Sequence, residues 1–310
     1  MSRPKILVIV GPTASGKSEL ALSLAREAGG EIISADSMQV YRGLDIGTAK
    51  PSQSERREVP HHMIDIVDPE EPYSAGRFQV EAGQAIRESV SRGALPIVAG
   101  GSGLYVNTIT YGLDLAVRPQ ADLEMRRQLE ELEPEELYSR LLAADPGAAQ
   151  RIHPHNVIRV RRALEIAQVR SSKSYDFERM QPEFDPLILG ISWPRSELYA
   201  RINDRTDAMF AQGLADEVRS LYASYGPEPV SMQAIGYKEI IAYLEGRVQT
   251  LDEAADLIRR NTRRFAKRQL TWFRRDPRIH WLEPSESLDR ARELLRRHRT
   301  EGNEASCQTV

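Results

Sequence analysis

The chain opens on KILVIV, residues 5–10, apolar at every position after its lysine. An unbroken apolar run of this length predicts a strand buried on both faces, as in a parallel sheet. The period then lengthens. Leu20, Leu24 and Ala28 recur at helical spacing, so Lys17 to Ala28 reads as a helix. EIISADS, 31–37, is a second strand and MIDIV, 63–67, a third. Ser74 to Ser91 is a helix, and LPIVAGG, 95–101, is the next strand. The spacing between strands supplies the crossover helices that parallel pairing needs.

Between Leu115 and Pro186 no buried strand stands out. Charged helical text dominates, punctuated by Pro134, Pro146, Gly147 and Pro154. PLILGISW, 186–193, then resumes the sheet. Beyond Arg195 the chain is mostly helical. Thr250 with Glu253 predicts a capping box opening a long helix to about Arg275. RIHWL, 278–282, reads as a short strand, and a last helix ends near Arg299. The expected fold is α/β: a P-loop NTPase-like parallel sheet flanked by helices, with an all-α insert. The core domain takes residues 1–114 and 186–300, the insert 115–185, and 301–310 form a disordered tail.

Composition narrows the setting. The chain has 310 residues, 41% of them hydrophobic, with 42 Lys and Arg against 45 Asp and Glu. No 18-residue apolar stretch exists, so no membrane partner is expected. The short apolar run at the N-terminus does not read as a signal peptide. The sole cysteine, Cys307, excludes a disulfide or a Cys-based zinc site. We expect a soluble, cytoplasmic monomer. Histidines 61, 62, 153 and 155 show no metal-ligand spacing, and Met180, Met209 and Met232 read as core filling.

GPTASGKS, residues 11–18, carries the first chemistry. It fits G-x-x-x-x-G-K-[ST] at Gly11, Gly16, Lys17 and Ser18, between a strand and a helix as that motif requires. Such a loop (Gly11, Pro12, Thr13, Ala14, Ser15, Gly16, Lys17, Ser18) cradles a polyphosphate with backbone N–H groups and a helix N-terminus. Lys17 adds a charge and Ser18 a hydroxyl for Mg²⁺. A hydrolase needs an acidic residue at the end of a buried strand to hold Mg²⁺ and direct water. LPIVAGG ends in glycines instead, which argues against hydrolysis and leaves group transfer open.

Asp36 follows the second strand and faces the ligand crevice of an open α/β sheet. Position alone leaves two roles open: general base on an incoming nucleophile, or local turn former. Basic residues cluster in RRNTRRFAKRQLTWFRR, 259–275, which includes Arg263 and Lys267, and in IRVRR, 158–162. Either cluster is a phosphate-binding face with stacking aromatics or a helix whose arginines pair with nearby carboxylates.

With these residues in view, the chain resembles the bacterial tRNA dimethylallyltransferase family. GPTASGKS alone is unspecific. DSMQVYRGLDIGTAKP (36–51), GGSGLY (100–105), RIHPHNVIRVRRALEI (151–166), GLADEVRSL (213–221), AIGYKEI (234–240) and AKRQLTWFRR (266–275) carry the likeness, which runs from about Lys5 to Leu282. The resemblance implies that the loop holds the diphosphate of dimethylallyl diphosphate while N6 of an adenosine next to the tRNA anticodon attacks C1. It implies Asp36 as base, Lys17 and Arg219 on the diphosphate, and Ser18 on Mg²⁺. It further implies tRNA contacts at Asp36, Ser37, Met38, Gln39, Ser102, Arg126, Ile158, Arg159, Val160, Arg161 and Arg162, with the insert meeting the anticodon stem-loop. Rival readings are a P-loop small-molecule or nucleotide kinase, a prenyltransferase of free adenine nucleotides, and a non-enzymatic nucleotide binder that docks on RNA.

Overall fold

A computed structural model describes residues 3–112, 123–169 and 182–300. Strand β1 (Lys5–Val10) leads through the glycine-rich loop into α1 (Lys17–Ala28). β2 (Gly30–Ser34), α2 (Gln53–Glu58), β3 (His61–His62), α3 (Ala75–Ser91), β4 (Leu95–Gly100) and α4 (Gly103–Thr110) follow. Next come α5 (Leu123–Glu130), α6 (Pro134–Ala144), α7 (Pro146–Arg151) and α8 (Val157–Val169). The chain continues with β5 (Asp185–Ile191), α9 (Arg195–Ala211), α10 (Leu214–Tyr225), α11 (Tyr237–Leu244), α12 (Leu251–Phe273), β6 (His280–Leu282) and α13 (Ser287–Thr300). It divides into two compact units, Met1–Leu113 with Gln181–Val310, and Asp114–Met180.

The larger unit holds an all-parallel six-stranded sheet in the order β3-β2-β4-β1-β5-β6. β1 lies inside it, which explains its uninterrupted apolar text. Ile6, Val8 and Val10 enter a core with Phe78, Ile86 and Tyr105, while Leu7 and Ile9 enter the opposite core with Leu24 and Leu295. A third cluster, around Val40, Leu214, Met232, Tyr237 and Ile258, packs α10, α11 and α12 beneath the long loop after β2.

Two expectations need correction. Residues 63–67 form no strand; β3 is the pair His61–His62 just before them. Met63 and Asp65 have φ of 63° and 55°, a left-handed backbone incompatible with an extended ladder. Asp65 is instead anchored by Lys50 and Arg56 at 2.5 and 2.6 Å. At the start of α12, Thr250 accepts the N–H of Glu253, but the Glu253 carboxylate returns to the N–H of Gln249, one residue outside a reciprocal box.

The helical unit is described by itself. Pro134 and Pro146 sit in the first turns of α6 and α7, and Asp145 caps α7 by accepting the N–H of Ala148 at 2.8 Å. Leu129, Leu137, Leu141, Val160 and Leu164 form its core. The expected start of the insert at 115 lies outside the described residues, and β5 opens at Asp185. Residues 301–310 lie outside the described residues.

Candidate active site

The glycine-rich loop is built by fixing its carbonyls. Gly11 and Gly16 hold φ of 156° and 90°, and a Cβ on Gly11 would lie 2.8 Å from Ser15 Oγ. Ala14 is also left-handed, at φ 64°. Its carbonyl accepts from Arg201 Nε at 2.8 Å, and the carbonyl of Ser15 accepts from Trp193 Nε1 at 2.9 Å. Arg201 stacks 4.5 Å over the Trp193 ring. Lys17 Nζ rests on the carbonyl of Pro12 at 3.2 Å. The carbonyls being held aside, the positive end of α1 is presented to an anion. Ser18 is exposed at the mouth of the cradle, a cavity of about 450 Å³ that also includes Lys17, Asp204, Arg205 and Met209.

Two cations meet there. Burial lowers Lys17 to about 8; Arg205 pushes it down further, and Asp36 opposes. Arg205 is itself lowered by burial and supported by Asp36. No ion pair closes on Arg205 among the described residues. Neither Lys17 nor Arg205 closes an ion pair among the described residues, so a diphosphate would neutralise them, although exposed Glu19 and Asp204 share the lining.

Asp36 both forms a turn and faces the cavity. Its Oδ1 accepts the N–H of Met38 at 2.9 Å, and the residue lines a second cavity of about 310 Å³. Ser102 Oγ accepts the N–H of Ser37 at 3.0 Å and so fixes the loop that carries the carboxylate. Gln39 takes the hydroxyl of Ser34 at 2.8 Å and donates to the carbonyls of Thr48 and Ala49, which makes it a loop brace. Lys50, with 2% of its side chain exposed, holds the far end through Asp45 and Asp65. Glu217 accepts three N–H groups from Asp45, Ile46 and Gly47.

This second cavity shares Thr13, Asp36, Ser37, Met38 and Ser102 with the predicted site and adds Ile202, Arg205, Thr206, Met209, Ile258 and Phe265. Its joint with the cradle is Arg205 and Met209, common to both. Met209 therefore lines the cavities while packing against the buried cluster around Val40 and Leu214, and Met232 is fully buried as expected. Gln269 ties α12 to the loop: its Oε1 accepts the N–H of Thr13 at 2.9 Å and its Nε2 donates to the carbonyl of Gly101 at 3.0 Å. The glycines after β4 follow from this closeness. A Cβ on Gly101 would lie 2.2 Å from Gln269 Nε2, one on Gly100 2.1 Å from the Ala35 carbonyl, and one on Gly103 2.3 Å from Trp272.

Arg219 is not brought to this site. It lies half-exposed on α10, paired with Asp216 one turn back, and lines neither cavity. The arginine facing Lys17 and Asp36 is Arg205. Its signal in the text is RINDRTDAM, where Arg201, Arg205 and Met209 recur at i, i+4 beside the apolar face Leu198–Ile202. On α12, Arg263 bonds Asn203 at 2.9 Å and Arg259 pairs with Asp207 and Asp256. The exposed stripe is Arg260, Arg264, Lys267, Arg274 and Arg275, none with a carboxylate partner among the described residues.

In the helical unit, Val160 is fully buried in the core and offers RNA no side chain. Arg162 pairs with Glu165, and Arg161 points to the carbonyl of Glu130 at 3.4 Å. Ile158, 81% exposed, and Arg159 are the side chains of 158–162 that face solvent. The backbone of Arg126 lies in α5; its side chain is outside the described residues.

The family model described as IPP transferase matches residues 39–276, and one described as isopentenyl transferase matches residues 4–68. The tRNA dimethylallyltransferase of Geobacter sulfurreducens is 50% identical over 93% of this chain and 94% of its own. That of Desulforudis audaxviator is 47% identical over 94% and 97%. A crystal structure of a tRNA isopentenylpyrophosphate transferase from Bacillus halodurans superposes with a TM-score of 0.71 at 42% identity, covering 97% of this chain and 96% of that one. A eukaryotic dimethylallyltransferase acting on tRNA gives 0.80 at 32% identity, over 91% of this chain and 74% of that one. The coverage includes the phosphate loop, the Asp36 loop and the Gln269 clasp alike, and the chain belongs to the tRNA dimethylallyltransferase (IPP transferase) family.

Proposed function

We propose that the protein moves the dimethylallyl group of dimethylallyl diphosphate onto N6 of the adenosine 3′ of the anticodon in tRNA, releasing diphosphate. The observation that carries this reading is the joined pair of cavities. A phosphate cradle opens, past Arg205, into a chamber with an apolar wall, and Asp36 is the one carboxylate lining that chamber among the described residues. The N6 lone pair attacks C1, the C1–O bond breaks, and its electrons leave on the diphosphate. The N6 proton passes to the oxygen of Asp36 that does not hold Met38. Lys17 and Arg205 face the charge that grows on the leaving group.

Ser18 and Asp204, which both line the cradle, would hold a Mg²⁺ ion. Such an ion would supply further neutralisation of the leaving group. A hydrolase reading lacks the strand-end carboxylate that would direct water. The end of β4 is Gly100 and Gly101, and packing against Ala35 and Gln269 leaves no room there for a side chain.

The acceptor is an RNA because the exposed stripe of α12 offers unpaired cations to a phosphate backbone. Ile158 and Arg159 offer the helical unit's contribution to the anticodon arm. Unstacking the target base costs a few kcal/mol, which these contacts offset. Asp36→Ala tests the chemistry: single-turnover transfer falls about 10²–10⁴-fold while tRNA affinity is retained. An unchanged rate removes Asp36 from the reaction.

A further inference from the structure

The strand ends that carry the site are joined beyond their ladders. The phosphate loop follows β1, the Asp36 loop follows β2, and Gly101 and Ser102 follow β4, which lies between those two strands. Ser102 makes one join. Its N–H donates to the Ala35 carbonyl at 3.2 Å and its Oγ accepts the N–H of Ser37 at 3.0 Å, so Asp36 is bracketed on both sides. Gln269 makes the other. The register of β1 with β4 runs to Val10 and Gly100. Past that point the Gln269 amide spans from the N–H of Thr13 to the carbonyl of Gly101, at 2.9 and 3.0 Å. Turned over, the amide would set oxygen against oxygen and N–H against N–H, so its partners fix its orientation.

Helix α12 leaves the amide little freedom. Gln269 is 6% exposed. Ala266, one turn before it, packs with Ala14, Leu198 and Ile202, and Phe273, one turn after it, enters the core with Val10 and Tyr105. Gln269 lines neither cavity, so it acts on substrate only through the backbones that it holds. One of those backbones belongs to the cradle for the leaving group. The other leads, through Ser102, to the base.

We infer that Gln269 is a positioning residue for the transfer: its buried amide keeps the diphosphate cradle and the Asp36 carboxylate in register, so that C1, N6 and the base line up. This rests on the prenyl-transfer reading above. A misplacement of about 1 Å costs about 10²-fold in such a reaction. Alignment is a property of the reacting complex, so its loss falls on kcat and leaves the KM values of both substrates near their starting point.

The test separates kcat from KM for dimethylallyl diphosphate and unmodified tRNA in the full chain. Gln269→Leu keeps the bulk and removes both bonds. Its kcat falls about 10²-fold, while both KM values stay within about threefold. Gly101→Ala breaks the clasp from the other side, since the added Cβ would lie 2.2 Å from Gln269 Nε2. It gives the same split and serves if Gln269→Leu does not fold. With Gln269→Ala that close contact is gone, so Gln269→Ala with Gly101→Ala loses no more than Gln269→Ala alone. Thermal melts give the folded fraction at the assay temperature, and kcat is counted per folded molecule. The inference is overturned if the folded variants keep kcat, if the loss falls on the KM of the donor with kcat intact, or if the two losses multiply as independent effects. Failure of the unaltered protein to prenylate tRNA is a different result: it overturns the functional reading and the role of Gln269 with it.

Discussion

Helices α12 and α13 are both arginine-rich and amphipathic, yet their charges do different things. On α13, Arg290 pairs with Glu293, Arg292 with Glu27 at 2.5 Å and Asp289 at 2.7 Å, and Arg297 with Glu293. Those three arginines are occupied by neighbours and fasten the helix to α1 and to itself, while Arg296 and Arg299 have no carboxylate partner among the described residues. On α12, buried Ala254, Ala255, Ile258, Ala266, Gln269 and Phe273 face the core. The opposite face carries Arg260, Arg264 and Lys267, and Arg274 and Arg275 follow just past the helix end, all without carboxylate partners among the described residues. A run of arginines in a sequence is thus not itself a nucleic-acid signal; the informative quantity is how many remain unneutralised once the chain has folded.

The same distinction orders the consequences of mutation. The largest effect belongs to the buried cation that lacks an ion pair. Arg205→Ala lowers kcat/KM by about 10²-fold or more through loss of charge facing the leaving diphosphate, while Arg219→Ala, which disturbs one exposed pair on α10, stays within about threefold. Equal losses in the two variants would erase the contrast between occupied and free arginines. Steady-state kinetics with both substrates varied decides it.

A smaller effect separates the two helices directly. Arg264→Gln with Lys267→Gln weakens tRNA binding and reduces the slope of log K against log salt by about 0.7–0.9 for each phosphate that is no longer neutralised. Arg290→Gln with Arg297→Gln leaves that slope unchanged. A binding isotherm repeated at several salt concentrations measures both. A slope that moves with the α13 pair would place RNA on the wrong helix.

The smallest effect on activity falls on the most occupied group. Glu31 is buried on β2, bonded to Arg92 at 2.6 and 2.9 Å, to Ser89 at 2.7 Å and to His62 at 2.7 Å. Arg92 first, then Ser89 and His62, hold its carboxyl at about 2 against the ordinary 4.5, with burial opposing. A depressed folded value stabilises the ionised protein above pH 4.5, and that stabilisation disappears as pH falls towards 2. The shift corresponds to about 3 kcal/mol. Glu31→Gln therefore lowers Tm at neutral pH and flattens the acid limb of a stability–pH curve, with transfer activity retained. An unaltered acid limb would show that the network contributes nothing to folding.

Much of this was legible before folding. The sheet strands after which the site is built, the phosphate loop and Asp36 follow from apolar runs, glycine spacing and the rule that ligands gather at strand C-termini. What stayed hidden depends on packing between distant segments. Nothing local distinguishes Arg205 from Arg219, since both sit one turn from apolar residues; only the packing of α9 over the loop selects one. Gln269 reads as an ordinary helical polar residue until its two bonds, to Thr13 and Gly101, are seen. The turn at 63–67 misled because an apolar alternation was satisfied by a left-handed backbone, with Met63 and Ile64 still buried. Val160 misled for the opposite reason: a residue inside a basic segment belongs to the core of its own helix.

The central claim is that the cradle holds a leaving diphosphate while RNA takes the carbon chain. Incubation of the protein with dimethylallyl diphosphate labelled in the prenyl group, unmodified tRNA and Mg²⁺, followed by nuclease digestion, measures it directly. The account predicts label on N6 of the adenosine beside the anticodon, with one diphosphate released per modified base and none without tRNA. Unlabelled tRNA, together with transfer of the γ-phosphoryl of ATP to another acceptor, would contradict it.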